Sequence, residues 1–133
     1  MKKILLDTNF LLIPYQFKVD IFSRIERIST FKYELFILDK TLDELKKIVE
    51  EQKGMDKEAA KIALKLISIK NIGIIKTKSS EKTDKLILDV ASKDDFIVAT
   101  QDKELRYMLK QNNVPIMLLR QKKKVVFLNP KGI

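Results

Sequence analysis

The feature that most constrains the fold is the alternation of short β-prone apolar runs with longer stretches of helical periodicity. Residues 4–6 (Ile-Leu-Leu) stop at Asp7 as a buried strand would, and residues 33–38 (Tyr-Glu-Leu-Phe-Ile-Leu), 72–75, 96–99 and 115–119 are further strand candidates. Between them apolar residues recur at helical spacing: Ile21, Phe22, Ile25 and Ile28; Leu42, Leu45, Ile48 and Val49; Ala59, Ile62, Ala63, Leu66 and Ile67; Leu86, Ile87 and Val90; Leu105, Met108 and Leu109. Pro14 places a short helix or turn in residues 10–15, and residues 124–128 supply a last edge strand with a lysine triplet leading in. Thr41 and Glu44 read as a capping box opening the second long helix, Gly54 breaks that helix, and Thr83 reads as the cap of the helix before the fourth strand. Strands that alternate with helices predict one α/β domain over residues 1–133, a three-layer α/β/α sandwich around a parallel sheet of about five strands.

Composition then narrows the chemistry. The 133 residues include no histidine and no cysteine. That excludes disulfides, thiol nucleophiles, cysteine-held clusters, imidazole bases and imidazole metal ligands. Three scattered glycines, Gly54, Gly73 and Gly132, form neither a dinucleotide fingerprint nor a phosphate loop. Catalysis by this chain therefore falls to carboxylates, Lys, Tyr or Ser/Thr, with a hard metal where one is used. No apolar run approaches the length of a membrane span, and Asp7 interrupts the N-terminal run too early for a signal peptide, so a cytoplasmic location and no membrane partner are expected.

The net charge of +9 is uneven, because residues 101–133 carry eight cations, Lys131 among them, against Asp102 and Glu104. Lys103, Arg106, Arg120, Lys122, Lys123 and Lys124 are candidates to hold a phosphate-rich partner. The predominance of Lys over Arg also fits a general compositional habit of heat-adapted proteins.

In an open α/β sheet, ligands bind beyond the carboxyl ends of the strands, near the reversal of strand order. Asp7 follows the first strand, Glu44 lies early in the helix after the second, and Asp102 follows the fourth. Asp84 joins them if the helix before strand four begins at that edge. Each has a structural alternative as a helix cap or dipole partner. Gathered together, however, four carboxylates repel unless a cation sits among them, and all-oxygen donors favour Mg²⁺ or Mn²⁺. Asp94 and Asp95 precede strand four and belong to the opposite edge, and Asp43 faces solvent.

Ile4-Leu-Leu-Asp7-Thr-Asn9, Leu42-Asp-Glu44-Leu, Asp84 at a helix start and Phe96-Ile-Val-Ala-Thr100-Gln-Asp102-Lys-Glu-Leu105 together resemble a PIN domain over nearly the whole chain. The stretch 96–105, followed by Asn113-Val-Pro-Ile-Met117, is most similar to PIN nucleases of small-subunit ribosomal RNA maturation and their archaeal relatives, with VapC-type toxins next. The resemblance implies an Mg²⁺- or Mn²⁺-dependent endoribonuclease acting on single-stranded or looped RNA. Asp7, Glu44, Asp84 and Asp102 match the four acidic metal-binding positions, and Asn9 and Thr100 match polar neighbours that orient ligands or substrate. It also implies partners: a homodimer, and either a ribosomal precursor or an antitoxin protein. Two other aspartate-using folds fail on residues, because Asn9 stands where a haloacid-dehalogenase-type enzyme has its second Asp, and Lys76-Thr-Lys78 stands where a receiver domain has its phosphoacceptor. A PIN-like domain that binds RNA or an assembly partner without cutting it is the rival from another class.

Overall fold

A computed structural model describes residues 1–77 and 79–128; Lys78 and Lys131, both counted in the sequence reading, lie outside them. The chain runs β1 (Lys2–Leu6), α1 (Thr8–Leu11), α2 (Ile13–Phe17), α3 (Ile21–Ile28), β2 (Tyr33–Leu38), α4 (Asp39–Glu51), α5 (Met55–Ile69), β3 (Gly73–Ile75), α6 (Thr83–Lys93), β4 (Phe96–Ala99), α7 (Lys103–Gln111), β5 (Ile116–Arg120) and β6 (Lys124–Leu128). The sheet has six strands in the order β3-β2-β1-β4-β5-β6. All neighbouring pairs are parallel except β5 and β6, which form an antiparallel hairpin. The lysine-rich segment is thus a turn and the start of a sixth, edge strand.

Residue alternation along the strands feeds two cores. Ile4, Leu6, Ile97, Ala99, Met117 and Leu119 face a cluster completed by Phe10, Ile21, Ile25, Leu45, Ala60 and Ala63 from helices α1 and α3–α5. Leu5, Phe96, Val98 and Ile116 face the other way, onto Leu86, Ile87, Leu105 and Leu109 of α6 and α7. Helices on both faces of a mostly parallel sheet make the expected three layers. Between β1 and β4 the order reverses: the chain winds outward through β2 and β3, then returns to the far side of β1. The carboxyl ends of β1 and β4 therefore flank the switch point.

Two expected helix starts are corrected. Helix α4 opens at Asp39, not at a Thr41 cap, because Asp39 is held in place there. Its Oδ1 accepts from the Lys40 N–H (2.8 Å) and the Thr77 hydroxyl (2.7 Å), and its Oδ2 accepts from the Thr77 N–H (3.0 Å). Burial raises the Asp39 carboxyl, but these bonds outweigh it and leave the pKa below its ordinary value. Thr41 is instead fully buried inside the helix, its hydroxyl without a partner among the described residues. Likewise Thr83 is the first residue of α6, after Lys82, and no side chain caps that end.

Candidate active site

Asp7 is almost fully buried, 5% exposed, at the carboxyl end of the central strand β1. Its backbone N–H donates to Ala99 O (2.9 Å), extending the β1–β4 ladder by one residue and setting Asp7 against the end of β4. One carboxylate oxygen caps α1 by accepting from the Thr8 N–H (2.8 Å), and the other accepts from the Thr100 hydroxyl (2.7 Å). Burial raises the Asp7 pKa to about 6; the two hydrogen bonds oppose that rise, and the charges of Asp84 and Glu44 add to it. An acid this buried, with acidic neighbours and, among the described residues, no cation paired to it, fits the pattern of a functional carboxylate.

Thr100 is fully buried just past β4. Its hydroxyl accepts from the Asp102 N–H (3.1 Å) while donating to Asp7. Asp102 is the N-cap of α7, its Oδ1 accepting from the Leu105 N–H (3.0 Å). Asn9 Oδ1 accepts from the Gln101 N–H (3.1 Å), so the β1–α1 and β4–α7 junctions are laced together by side chains from both. Capping and site placement are thus compatible in Asp7 and Asp102, because a carboxylate has lone pairs to spare after satisfying one N–H.

Glu44 lies in the second turn of α4, one turn later than its expected position, and is exposed. The Thr8 hydroxyl donates to its Oε1 (2.7 Å), tying α4 to α1. Asp84 is in the first turn of α6, which runs antiparallel to β4 and begins at the carboxyl edge. Burial raises its pKa, followed by the charges of Asp102 and Glu104, while Lys82 lowers it. Along this edge the charges of Glu44 and Asp84 bear on Asp7, and that of Asp102 bears on Asp84. Among the described residues no three carboxylates stand as close together as a metal centre requires. In donor type they fit a hard divalent cation: oxygen donors alone, with the pKa values of Asp7 and Asp84 raised first by burial and then by neighbouring negative charge.

The basic candidates are distributed around this edge. Lys103 begins α7 and is exposed, while Arg106, one turn on, is half-buried with its Nε unpartnered among the described residues. Arg120 ends β5, Lys122 and Lys123 make the hairpin turn, and Lys124 begins β6, all four exposed. Because β5 is parallel to β4, the turn lies at the same edge as Asp7. Asp94 and Asp95 pair with Lys3 (2.8 Å) and Lys2 (3.2 Å) near the start of β1, at the opposite edge.

Three contributors escaped the sequence reading. Thr8 fixes Glu44, although its place between Asp7 and Asn9 was a signal. Glu104 adds its charge to Asp84 from the first turn of α7. Gln101 uses its side-chain amide as a strand would use its backbone: Nε2 donates to Leu119 O (3.1 Å) and Oε1 accepts from the Leu119 N–H (2.6 Å). No periodicity reveals a side chain that extends a sheet.

The doubly wound sheet with acids lining its switch point defines a class: α/β proteins that assemble a carboxylate site at the strand ends. The chain belongs to the PIN like domain family, whose pattern its residues 4–122 match. It is 37% identical over 124 residues to ribonuclease VapC4 of Methanocaldococcus jannaschii, covering 92% of this chain and 94% of that protein. It is 31% identical over 120 residues to ribonuclease VapC9 of Archaeoglobus fulgidus, covering 90% and 84%. Its fold is similar to that of the PIN domain endonuclease Utp24, with a TM-score of 0.80 at 22% identity over 96% of this chain and 91% of that one. A domain of a functionally unknown Methanocaldococcus jannaschii protein is similar at a TM-score of 0.59 and 19% identity, covering 90% and 92%. No helix among the described residues is long and apolar enough to cross a membrane.

Proposed function

We propose that this protein is a metal-dependent endoribonuclease whose site is Asp7, Glu44, Asp84 and Asp102. The observation that carries the reading is the buried Asp7 carboxyl, raised to about 6 at the switch point with the charges of Glu44 and Asp84 bearing on it. Asp7, Glu44, Asp84 and Asp102 would hold Mg²⁺ or Mn²⁺, which when bound would supply charge neutralisation at the phosphodiester and a more acidic water. Thr100 and Asn9 hold the β1 and β4 ends in register so that Asp7 and Asp102 face one substrate. The N-terminus of α7 at Asp102 adds a positive dipole end suited to phosphate. With no histidine in the chain, charge stabilisation rather than an imidazole base carries most of the rate.

The cellular role has two readings. Likeness around residues 96–117 favours RNA maturation, including that of a ribosomal precursor. The two relatives named VapC ribonucleases, at 37% and 31% identity, favour a toxin held by an antitoxin protein equally well. Both readings place the protein in the cytoplasm, and a homodimer is compatible with either. Purified protein should cut single-stranded or looped RNA in Mg²⁺ or Mn²⁺ and stop in chelator; RNA left full-length in both metals would sink the enzyme reading. Expression should arrest growth, relieved by a small neighbouring gene, if the protein is a toxin, and should do neither if it matures RNA.

A further inference from the structure

Away from the acids, α3 packs along the β5–β6 hairpin and leaves a groove of about 480 Å³ lined by Arg24, Arg27, Ile28, Lys123, Lys124 and Val126, with Val125 at its base. Four cations and no carboxylate line it. Among the described residues none of the four is in an ion pair, and the Arg24 Nε is buried without an acceptor. One end of the groove is the hairpin turn, which lies at the same sheet edge as Asp7 and Asp102. There Lys122 sits over the ring of the exposed Phe17, 5.8 Å from its centroid.

Unpaired cations above an apolar floor, beside an exposed aromatic face, make a surface that suits single-stranded nucleic acid, whose phosphates need cations and whose bases need apolar or aromatic contact. We propose that this groove binds the sugar–phosphate backbone of the RNA strand flanking the cut, with Arg24 and Arg27 as its dedicated phosphate contacts. The inference rests on the endoribonuclease reading, since that reading is what brings RNA to this edge. An acidic protein segment would answer the charge as well. RNA is favoured because Lys123 and Lys124 place one end of the groove at the edge where the proposed substrate would lie.

The test is binding of a fluorescent single-stranded RNA of ~20 nucleotides, long enough to exceed the ~4–16 nucleotides of a single binding surface. Anisotropy is read in chelator over a range of salt for the wild type, Arg27→Gln and Arg24→Gln/Arg27→Gln, with thermal melts to verify folding. The double variant should bind about tenfold more weakly and lose about 1.4 from the salt slope, at about 0.7 per phosphate contact on a single strand. Arg27 is exposed, so Arg27→Gln, expected to lose about 0.7, keeps the test valid if Arg24→Gln fails to fold. Unchanged affinity and slope would overturn the groove. So would poly-glutamate that binds as tightly as the RNA and is weakened equally by the variants. Wild-type cleavage in Mn²⁺, measured in parallel, separates the two ideas: uncut RNA counts against the nuclease, whereas cut RNA with variant binding intact counts against the groove alone.

Discussion

The Thr100 hydroxyl donates to the buried Asp7 carboxylate across 2.7 Å, and the same oxygen accepts from the Asp102 N–H. One hydroxyl therefore stabilises the charge on Asp7 and sets the position of Asp102. Its removal in Thr100→Val should raise the Asp7 pKa further, since this bond is the largest influence opposing burial. The acid limb of the pH–rate profile should move to higher pH, with a stability loss of about 1.5–3 kcal/mol for a bond to a charged group. Thr100→Ser should restore both. An unmoved acid limb in Thr100→Val would show that Thr100 only packs.

Asp7 itself destabilises the fold at neutral pH. Its carboxyl titrates at 3.8 when unfolded and about 6 when folded, so between those values the folded state holds the extra proton and stability falls as pH rises. The gap corresponds to about 3 kcal/mol above pH 6 and to nothing below about pH 4. In chelator, Asp7→Asn should therefore be more stable than the wild type at pH 7.5 by up to about 3 kcal/mol, an advantage lost at pH 4. Urea denaturation at the two pH values reads this directly; equal stability at both would refute it. Adding Mg²⁺ should narrow the gap by stabilising only the wild type, while Asp7→Asn abolishes cleavage and leaves RNA retention largely intact.

Thr41 offers a test away from the site. Its fully buried hydroxyl lacks a partner among the described residues, and an unsatisfied buried polar group costs about 1–3 kcal/mol. Thr41→Val keeps the shape and removes that cost, so it should raise the melting temperature by about 2–4 °C per kcal/mol gained. A fall in melting temperature would mean that the hydroxyl is satisfied in solution.

Gln101 clamps the segment before α7 to β5 through two bonds to Leu119. Gln101→Ala should cost about 1–3 kcal/mol. By loosening Asp102, it should also lower kcat by up to about a hundredfold with little change in KM. Unaltered kcat would confine Gln101 to a structural role.

Much of this architecture was legible in the sequence because hydrophobic periodicity is dictated by the same faces that pack. Ile4, Leu5 and Leu6 are buried on both sides, and Leu105 and Leu109 share one helix face, as read. Strand order was not legible in detail, since nothing local says that residues 124–128 turn back antiparallel; Gln121 and Lys122 make that turn with left-handed backbone, φ 55° and 57°, and without a glycine to announce it. The helix starts at Thr41 and Thr83 were misread for a related reason. A capping pattern competes with tertiary bonds, and Asp39 gains Thr77, 38 residues away, as a partner. The acids themselves stood out because little else in a chain without histidine or cysteine can do chemistry.

The pairing of β1 with β4 has a consequence for how the protein comes into being. Asp7 and Thr100 are 93 residues apart, and the strand that carries Asp7 has its neighbour on that side only once residues 96–99 have been made. Contacts so distant in sequence form late. During synthesis the Asp7–Thr100 bond and the β1–β4 pairing must therefore wait until residues 96–100 have been made. Under the proposed function, a copy made only as far as β3 has neither Thr100 nor Asp102 beside Asp7 and should not cut RNA.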